Sequence, residues 1–333
     1  MSAESDHSPA MTSLPELPEL PARDPDGHKG TFGTVLVVGG HCDGSEMMIG
    51  GPTLTALAAL RTGCGLAWLA LPRPILANAL EVAPEATGIA LPVDEHDAIR
   101  PSAAAEAIDS RLARVRCCAV GPGLGTSAGA AQLVMRLVAN SPVPLVIDAD
   151  ALNALAGCER FDRDLRAPAI LTPHPGEFAR LAQALALPPL PEAPAAEALC
   201  VAATRLAARL GCIVVLKGSI TTVADAVECH QLHAGNAALA TGGSGDVLTG
   251  IIASLVSQFH HAAGEQGCAP LRLLDCSRVG VAIHGLVARR WSVTNGTAGL
   301  LARDLVDGIP STLESIRSLG WPAAFSAVAG KTR

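Results

Sequence analysis

An α/β fold, with a central mostly parallel sheet covered by helices on both faces, is the architecture that the sequence predicts. Two observations carry this expectation. Short β-rich runs alternate along the chain with segments of helical period, and several of those runs stop at glycine-containing loops. Such alternation builds parallel strands joined by helical crossovers. The hydrophobic content of 49% is ample for a core, although aromatic residues are only 2% and tyrosine is absent. Alanine, leucine and valine must therefore fill the interior.

Residues 1–28 are rich in Pro, Glu, Asp and Ser and are expected to be a mobile leader. "TVLVVGG" (34–40) is a strand that ends in glycine. "GPTLTALAALRTG" (51–63) has helical period and closes on Gly63, a favourable C-terminal cap. "LAWLALP" follows as a strand, "AAAEAIDSRLAR" as a helix, "CCAVGPGLG" as a strand and glycine loop, and "AGAAQLVMRLVAN" as a helix. "PLVIDAD" and "AILTPHPGE" are strands running into loops, and "AAEALCVAATRLAARLG" is a helix. "CIVVLKG" and "ITTVAD" are strands, with "AVECHQL" completing a hairpin. "ATGGSGD" then opens a helix, residues 260–272 are expected to be a loop, and "CSRVGVAIHGLVARRW" is a further helix. No linker divides the chain, so residues 29–320 read as one catalytic domain and 321–333 as a mobile tail.

The net charge of −7 argues against a broad basic surface for nucleic acid. No apolar run reaches membrane-spanning length without Gly, Pro or charge, and the N-terminus lacks the pattern of a signal peptide, so a cytoplasmic location is expected. The ten cysteines contain no C-x-x-C pair and read as buried thiols of a reducing compartment. His230 with His233, and His260 with His261, read as solvent histidines rather than metal ligands.

In sheets of this kind ligands bind beyond the carboxyl ends of the strands, where the glycine loops fall. In "GGSGD", Gly242, Gly243 and Gly245 allow the backbone to turn and approach a ligand. The N–H groups and dipole of the following helix would favour a phosphate and keep Asp246 ionised. An ionised Asp beside a phosphate can accept the proton of an attacking hydroxyl. A flexible turn capped by Asp246 explains the same residues. "GPGLG" also admits two readings. Gly123-x-Gly125-x-x-Ala128 fits a dinucleotide fingerprint, and Asp148, 20 residues after Ala128, has the spacing of a ribose-binding acid. In "TPHPGE", His174 can hydrogen-bond a polar substrate, and Glu177 can reach a hydrated Mg²⁺ or simply begin a helix. Lys217 in "KGSIT" is a candidate phosphate ligand or a solvated strand-end lysine. The absence of G-x-x-x-x-G-K-[ST] argues against a P-loop NTPase.

Taken together and in order, "KGTFGTVLVVGG", "GGPTLTALAALRTGCGLAWLALP", "AVGPGLG", "VIDADALNAL", "ILTPHPGEFARL", "VVLKGSITTV", "GNAALATGGSGDVLTGIIASL", "AIHGLVARRW" and "GTAGLLARDLVDGIP" resemble the NAD(P)H-hydrate dehydratases, nicotinamide nucleotide repair enzymes of the ribokinase-like fold. The matches span about residues 29–315. The sequence departs from the family where "MIGGP" replaces a Tyr-Ser-Gly-Ala type stretch, where Ala237-Ala238 replace the usual Pro-Gly, and where Ser244 stands in place of a common threonine.

The resemblance implies a ribokinase-like domain that phosphorylates the hydroxyl of hydrated NADH or NADPH, with ADP as co-substrate and Mg²⁺ as cofactor. Elimination then releases AMP and phosphate. It implies Asp246 as the catalytic base, and Gly51, Gly125, His174 and Asp246 as substrate contacts. Lys217, Gly218, Ser219, Ile220 and Thr221, with Gly242, Gly243, Ser244 and Gly245, would line the nucleotide. Asp150, Asn153, Glu177 and Asn236 are further candidates, Glu177 as a ligand of a Mg²⁺ carried on the nucleotide phosphates. Homo-oligomers are expected. The leader is too short for the epimerase domain fused in some family members, so epimerisation is expected of a separate protein. The rivals are a ribokinase-like small-molecule kinase, an NAD-dependent dehydrogenase using "GLGTSA", and a nucleotide sensor without chemistry.

Overall fold

The computed structural model describes residues 16–42, 44–233, 235–260 and 270–329. Its centre is a nine-stranded sheet in the order β3-β2-β1-β4-β5-β6-β7-β8-β9. The elements in chain order are β1 (Thr34–Val38), α1 (Gly50–Thr62), β2 (Leu66–Pro72), α2 (Arg73–Val82), β3 (Thr87–Leu91), α3 (Pro101–Leu112), β4 (Cys117–Val120) and α4 (Ala128–Asn140). There follow β5 (Leu145–Ile147), α5 (Asp150–Ala156), α6 (Phe161–Asp164), β6 (Ala169–Leu171), α7 (Pro175–Ala184), α8 (Ala196–Leu210), β7 (Ile213–Leu216), β8 (Thr221–Ala224) and β9 (Cys229–Leu232). A short 3-10 helix (Ala237–Leu239) leads to α9 (Ser244–Phe259), α10 (Leu273–Asn295) and α11 (Ala302–Ala329), which is bent at Gly320. Strands β1 to β7 are parallel, and β8 and β9 are added antiparallel at one edge.

Because successive strand residues point to opposite faces, a strand buried on both sides must be apolar throughout. β1 shows this directly. Val35 and Val37 enter one core, with α1, α2, α9, α10 and α11, while Leu36 and Val38 enter the other, with α3 to α8. The α/β architecture with both faces covered is thus as expected. α2 and β3 are additions to the expected elements. β3, "TGIAL", is an edge strand with a glycine at its second position, so its sequence carries little strand signal.

Close contact between α1 and α9 brings two of the predicted loops together. Gly250 lies in α9 with no room for a side chain, since a Cβ there would be 2.2 Å from the Thr55 carbonyl oxygen. Thr55 Oγ1 is 3.0 Å from both the Gly51 and the Asp246 carbonyl oxygens. The start of α1 is therefore tied to the first turn of α9.

Three expectations are corrected. Residues 16–28, expected as mobile leader, pack on the body. Trp321 Nε1 donates to the Pro18 carbonyl at 2.9 Å, the Arg278 guanidinium donates to the Glu16 carbonyl, and Arg23 lies over the Phe32 ring while donating to the Gly63 carbonyl at 2.8 Å. Residues 321–329, expected as tail, continue α11, with Trp321, Ala324 and Phe325 buried. The same apolar contact explains both, as Leu17 and Leu20 reach the core that holds Trp321. Finally, Cys200 of α8 and Cys229 of β9 form a disulfide with Cα atoms 5.9 Å apart. These two are only partly buried, because α8 covers an edge strand there. Cys268 and most of the expected 260–272 loop lie outside the described residues. Among the described residues no helix is long and apolar enough to cross a membrane.

Gly250→Ala tests the helix contact. Alanine should gain about 1 kcal/mol in intrinsic helix propensity, yet a Cβ against a backbone oxygen forces the helices apart. The expected outcome is a net loss of about 1–3 kcal/mol in urea unfolding. A gain in stability would show that α1 and α9 are not this close.

Candidate active site

A cavity of about 950 Å³ opens at the carboxyl ends of β5, β6 and β7, beside the first turn of α9. Each of its charged groups arrives at a strand end or helix start. After β6, His174 caps α7. Its Nδ1 accepts from the N–H groups of Gly176 (2.9 Å) and Glu177 (3.3 Å), and Glu177 Oε2 accepts from the His174 N–H at 2.8 Å. This is a capping box in which histidine takes the place of serine or threonine. Because Nδ1 accepts, the proton of the neutral ring sits on Nε2, which lies 3.4 Å from Glu177 Oε1. Burial, then Lys217 and Arg180, lower the His174 pKa.

Lys217 follows β7. It is not a solvated strand-end lysine. Its Nζ is 2.7 Å from Asp148 Oδ1 and 3.8 Å from Glu177 Oε2. Burial opposes its charge, but Asp148 and Glu177 outweigh that and raise its pKa above the ordinary lysine value. Asp148, at the end of β5, is buried and also accepts from Thr249 Oγ1 of α9 at 2.8 Å. The ribose-binding role that its spacing allowed is overturned by these partners. Glu177 is buried, and its pKa is pushed up to about 7, chiefly by burial and against the pull of Lys217.

Asp246 faces the same cavity from the third position of α9. The cap of α9 is Gly243, at φ +87°, and Asp246 makes no capping hydrogen bond. The expectation that the helix dipole keeps Asp246 ionised is also corrected. Burial, and then the Asp148 carboxylate, push its pKa up to about 7 in spite of Lys217. Burial and a like charge at close range act strongly on a carboxyl, whereas the dipole is worth at most about 2 kcal/mol.

On its other side Asp246 meets the glycine loops. A Cβ at Gly51 would be 3.1 Å from Asp246 Oδ1 and 3.3 Å from the Gly123 nitrogen. Gly125, at φ +77°, donates its N–H to Asp150 Oδ2 at 2.9 Å, and His41 Nδ1 is 2.9 Å from the Gly123 carbonyl oxygen. Asp150 therefore holds the loop.

The other candidates separate clearly. Gly218, Ser219, Thr221, Asn236, Ser244 and Gly245 line the cavity, while Gly51, Gly125, Asp150, Asn153, Ile220, Gly242 and Gly243 do not. Gly242 and Gly243 turn the chain into α9. Asn153 accepts from Arg180 Nε at 2.8 Å on the surface. Asn236 caps the 3-10 helix and donates to Ser292 Oγ at 2.7 Å. Sequence reasoning missed Thr249 and His284. The spacing of Thr249, one turn after Asp246, is the signal that was present.

No resident metal fits the site. Among the described residues no group of three His, Cys, Asp or Glu side chains is placed to hold one. The space between Asp148 and Glu177 is filled by the Lys217 ammonium. His230 is paired with Glu228 at 3.2 Å, and His260 Nδ1 is 2.9 Å from the Leu271 carbonyl oxygen, so both have protein partners rather than only solvent.

The family profile described as NAD(P)H-hydrate dehydratase matches residues 35–311. The chain belongs to this family. It is 38% identical over 295 residues to the bifunctional NAD(P)H-hydrate repair enzyme Nnr of Salinibacter ruber, covering 87% of this chain and 50% of that one. The chain spans about half the length of the bifunctional relatives it matches. It is 34% identical over 323 residues to the ADP-dependent (S)-NAD(P)H-hydrate dehydratase of Neisseria meningitidis, covering 92% of this chain and 93% of that one. Among solved structures it resembles the ADP/ATP-dependent NAD(P)H-hydrate dehydratase of Bacillus subtilis co-crystallised with ATP/Mg²⁺, with a TM-score of 0.66, 28% identity, and coverage of 93% and 95%. A ribokinase-like protein of Enterococcus faecalis shares the fold, with a TM-score of 0.68 at 23% identity and coverage of 88% and 90%. The dehydratase family and the ribokinase-like α/β fold anticipated from the ordered motifs are those of this chain.

Asp148→Asn tests the central ion pair. Removing the charge leaves the Lys217 ammonium buried against a neutral amide. The expected loss is about 3 kcal/mol in urea unfolding, in the range seen when one partner of a buried pair is removed. Wild-type stability in this variant would contradict the arrangement.

Proposed function

We propose that the protein restores hydrated NADH or NADPH to the reduced dinucleotide at the expense of ADP. The observation that carries this reading is the convergence of Asp246, Lys217 and the first turn of α9 on one cavity, with Gly51 against the far side of the Asp246 carboxylate. The names of the Neisseria and Bacillus relatives support it.

Hydroxide leaves carbon poorly and phosphate leaves well, so phosphorylation prepares the hydrate for elimination. In the proposed sequence the hydrate hydroxyl attacks the β-phosphorus of ADP. The new O–P bond forms as the bond to the bridging oxygen breaks, and AMP leaves with that electron pair. Asp246 accepts the hydroxyl proton. A carboxyl with a pKa near 7 suits this role better than an ordinary aspartate, because a base is most effective when its pKa lies near the working pH. Lys217, kept charged by Asp148 and Glu177, attracts the phosphates. The N–H groups in the first turn of α9 would face the charge that develops on the transferred group. The phosphate then departs with loss of a proton from the neighbouring carbon, and the double bond returns. Gly218, Ser219 and Thr221 serve the nucleotide side, and His174 and Gly125 the dinucleotide side. Mg²⁺ would enter as part of the nucleotide co-substrate, where it would neutralise the phosphate charge.

Incubation with NADH hydrate, ADP and Mg²⁺ should restore the reduced-nicotinamide absorbance, with equal release of AMP and phosphate. A stable phosphorylated product would instead favour a small-molecule kinase. Asp246→Asn should lower kcat by about 10²–10⁴-fold, the usual contribution of a general base, with the fold intact by circular dichroism. Full activity would remove Asp246 from the chemistry.

The pH dependence has a defined sign. The base must be ionised, and its pKa in the folded protein is raised to about 7. The rate should therefore fall as pH drops through about 7, and a profile that stays flat to about pH 5 would contradict the role.

A further inference from the structure

His284 is a group that the proposed chemistry leaves unused. It lies on α10, is buried with 8% exposure, and lines the cavity together with Val281 one turn earlier. Its Nε2 is 3.3 Å from Ser244 Oγ. Ser244 is the first residue of α9, directly after the left-handed turn at Gly243, and it too is buried and lines the cavity. Burial pushes the His284 pKa down to about 4, only partly offset by its hydrogen bonding to Ser244, so at neutral pH the ring is uncharged.

A neutral imidazole carries one N–H and one acceptor nitrogen, and the tautomer decides what the Ser244 hydroxyl does. If Nε2 is the acceptor, the hydroxyl hydrogen points at His284, and only oxygen lone pairs face the cavity. An anion there would be repelled. If Nε2 carries the proton, it donates to Ser244 Oγ, and the hydroxyl hydrogen is free to turn towards the mouth of α9. A phosphoryl group at that mouth favours the second arrangement, since it gains a donor beside the helix N–H groups. The change moves the ring's single N–H proton from Nδ1 to Nε2 by exchange with water, with no net gain or loss, and no bond of the reaction passes through the ring.

We propose that His284 is a positioning residue that turns the Ser244 hydroxyl into a donor for the phosphoryl group in transfer. This inference rests on the phosphoryl-transfer reading of the site. It assigns a task to a histidine 40 residues from its partner in sequence.

The test measures kcat and KM for ADP in Ser244→Ala, His284→Leu, the double variant and His284→Gln, with thermal unfolding of each. Ser244→Ala and His284→Leu should each lower kcat about tenfold, with KM for ADP within about twofold. That is less than the loss seen when an oxyanion donor is removed directly. The double variant should be no worse than either single one, because the two residues act as a unit. His284→Gln, which keeps a neutral donor, should recover kcat to within about threefold of wild type. Multiplicative losses in the double variant, or no recovery with Gln at unchanged unfolding temperature, would overturn the proposal. Binding of AMP with aluminium fluoride, a mimic of the phosphoryl group in flight, separates this inference from the choice of substrate. Loss of mimic affinity in Ser244→Ala and His284→Leu, with AMP affinity retained, supports the positioning role even if NADH hydrate is not turned over. Unchanged mimic affinity in both sinks it.

Discussion

The buried contact between Asp148 and Lys217 is the constraint on which the site depends. It joins the end of β5 to the end of β7, and through Thr249 it reaches the first turns of α9. A lysine left alone in this position would shed its charge, and the Asp148 carboxylate holds it protonated. Burial, aided by the Asp148 charge and opposed by Lys217, pushes two more carboxyl groups, Glu177 and Asp246, up to about 7. Burial beside a like charge thus produces a base that is poised rather than permanently charged.

The second constraint is steric. α9 can present Asp246 to the cavity only because α1 lies close against it at Gly250, and because nothing projects from Gly51 towards the carboxylate. Thr55 fixes the distance between the two helix starts by touching the carbonyl oxygens of Gly51 and Asp246. The glycines on the two sides of the site therefore act differently. Gly243 and Gly125 supply positive φ, whereas Gly51 and Gly250 supply empty space. A motif scan treats them alike, and the packing tells them apart.

The layer architecture and the loops that form the site were legible in the sequence, because short β-rich apolar runs and helices of period 3.6 leave a local imprint. His174, Lys217, Gly245 and Asp246 fall where strand-end reasoning puts them. The sense of the electrostatics was not legible. Asp148 is 69 residues from Lys217 and 101 from Thr249, so its spacing from "GPGLG" suggested a ribose ligand while its real partners came from elsewhere in the chain. The raised pKa of Asp246 depends on burial and on that same distant aspartate, neither of which a local motif records. Residues 16–28 misled for a related reason. Two leucines among prolines carry no period, yet they suffice to dock against Trp321.

The central claim is that the phosphoryl group of the nucleotide passes to the hydrate before it becomes free phosphate. A single-turnover experiment with ADP labelled at its β-phosphorus, quenched at millisecond intervals, tests it directly. The label should appear first on the hydrated dinucleotide and then, as that species decays, as inorganic phosphate together with the reduced dinucleotide. Label that passes straight from ADP to inorganic phosphate, at a rate indifferent to the hydrate, would contradict the account.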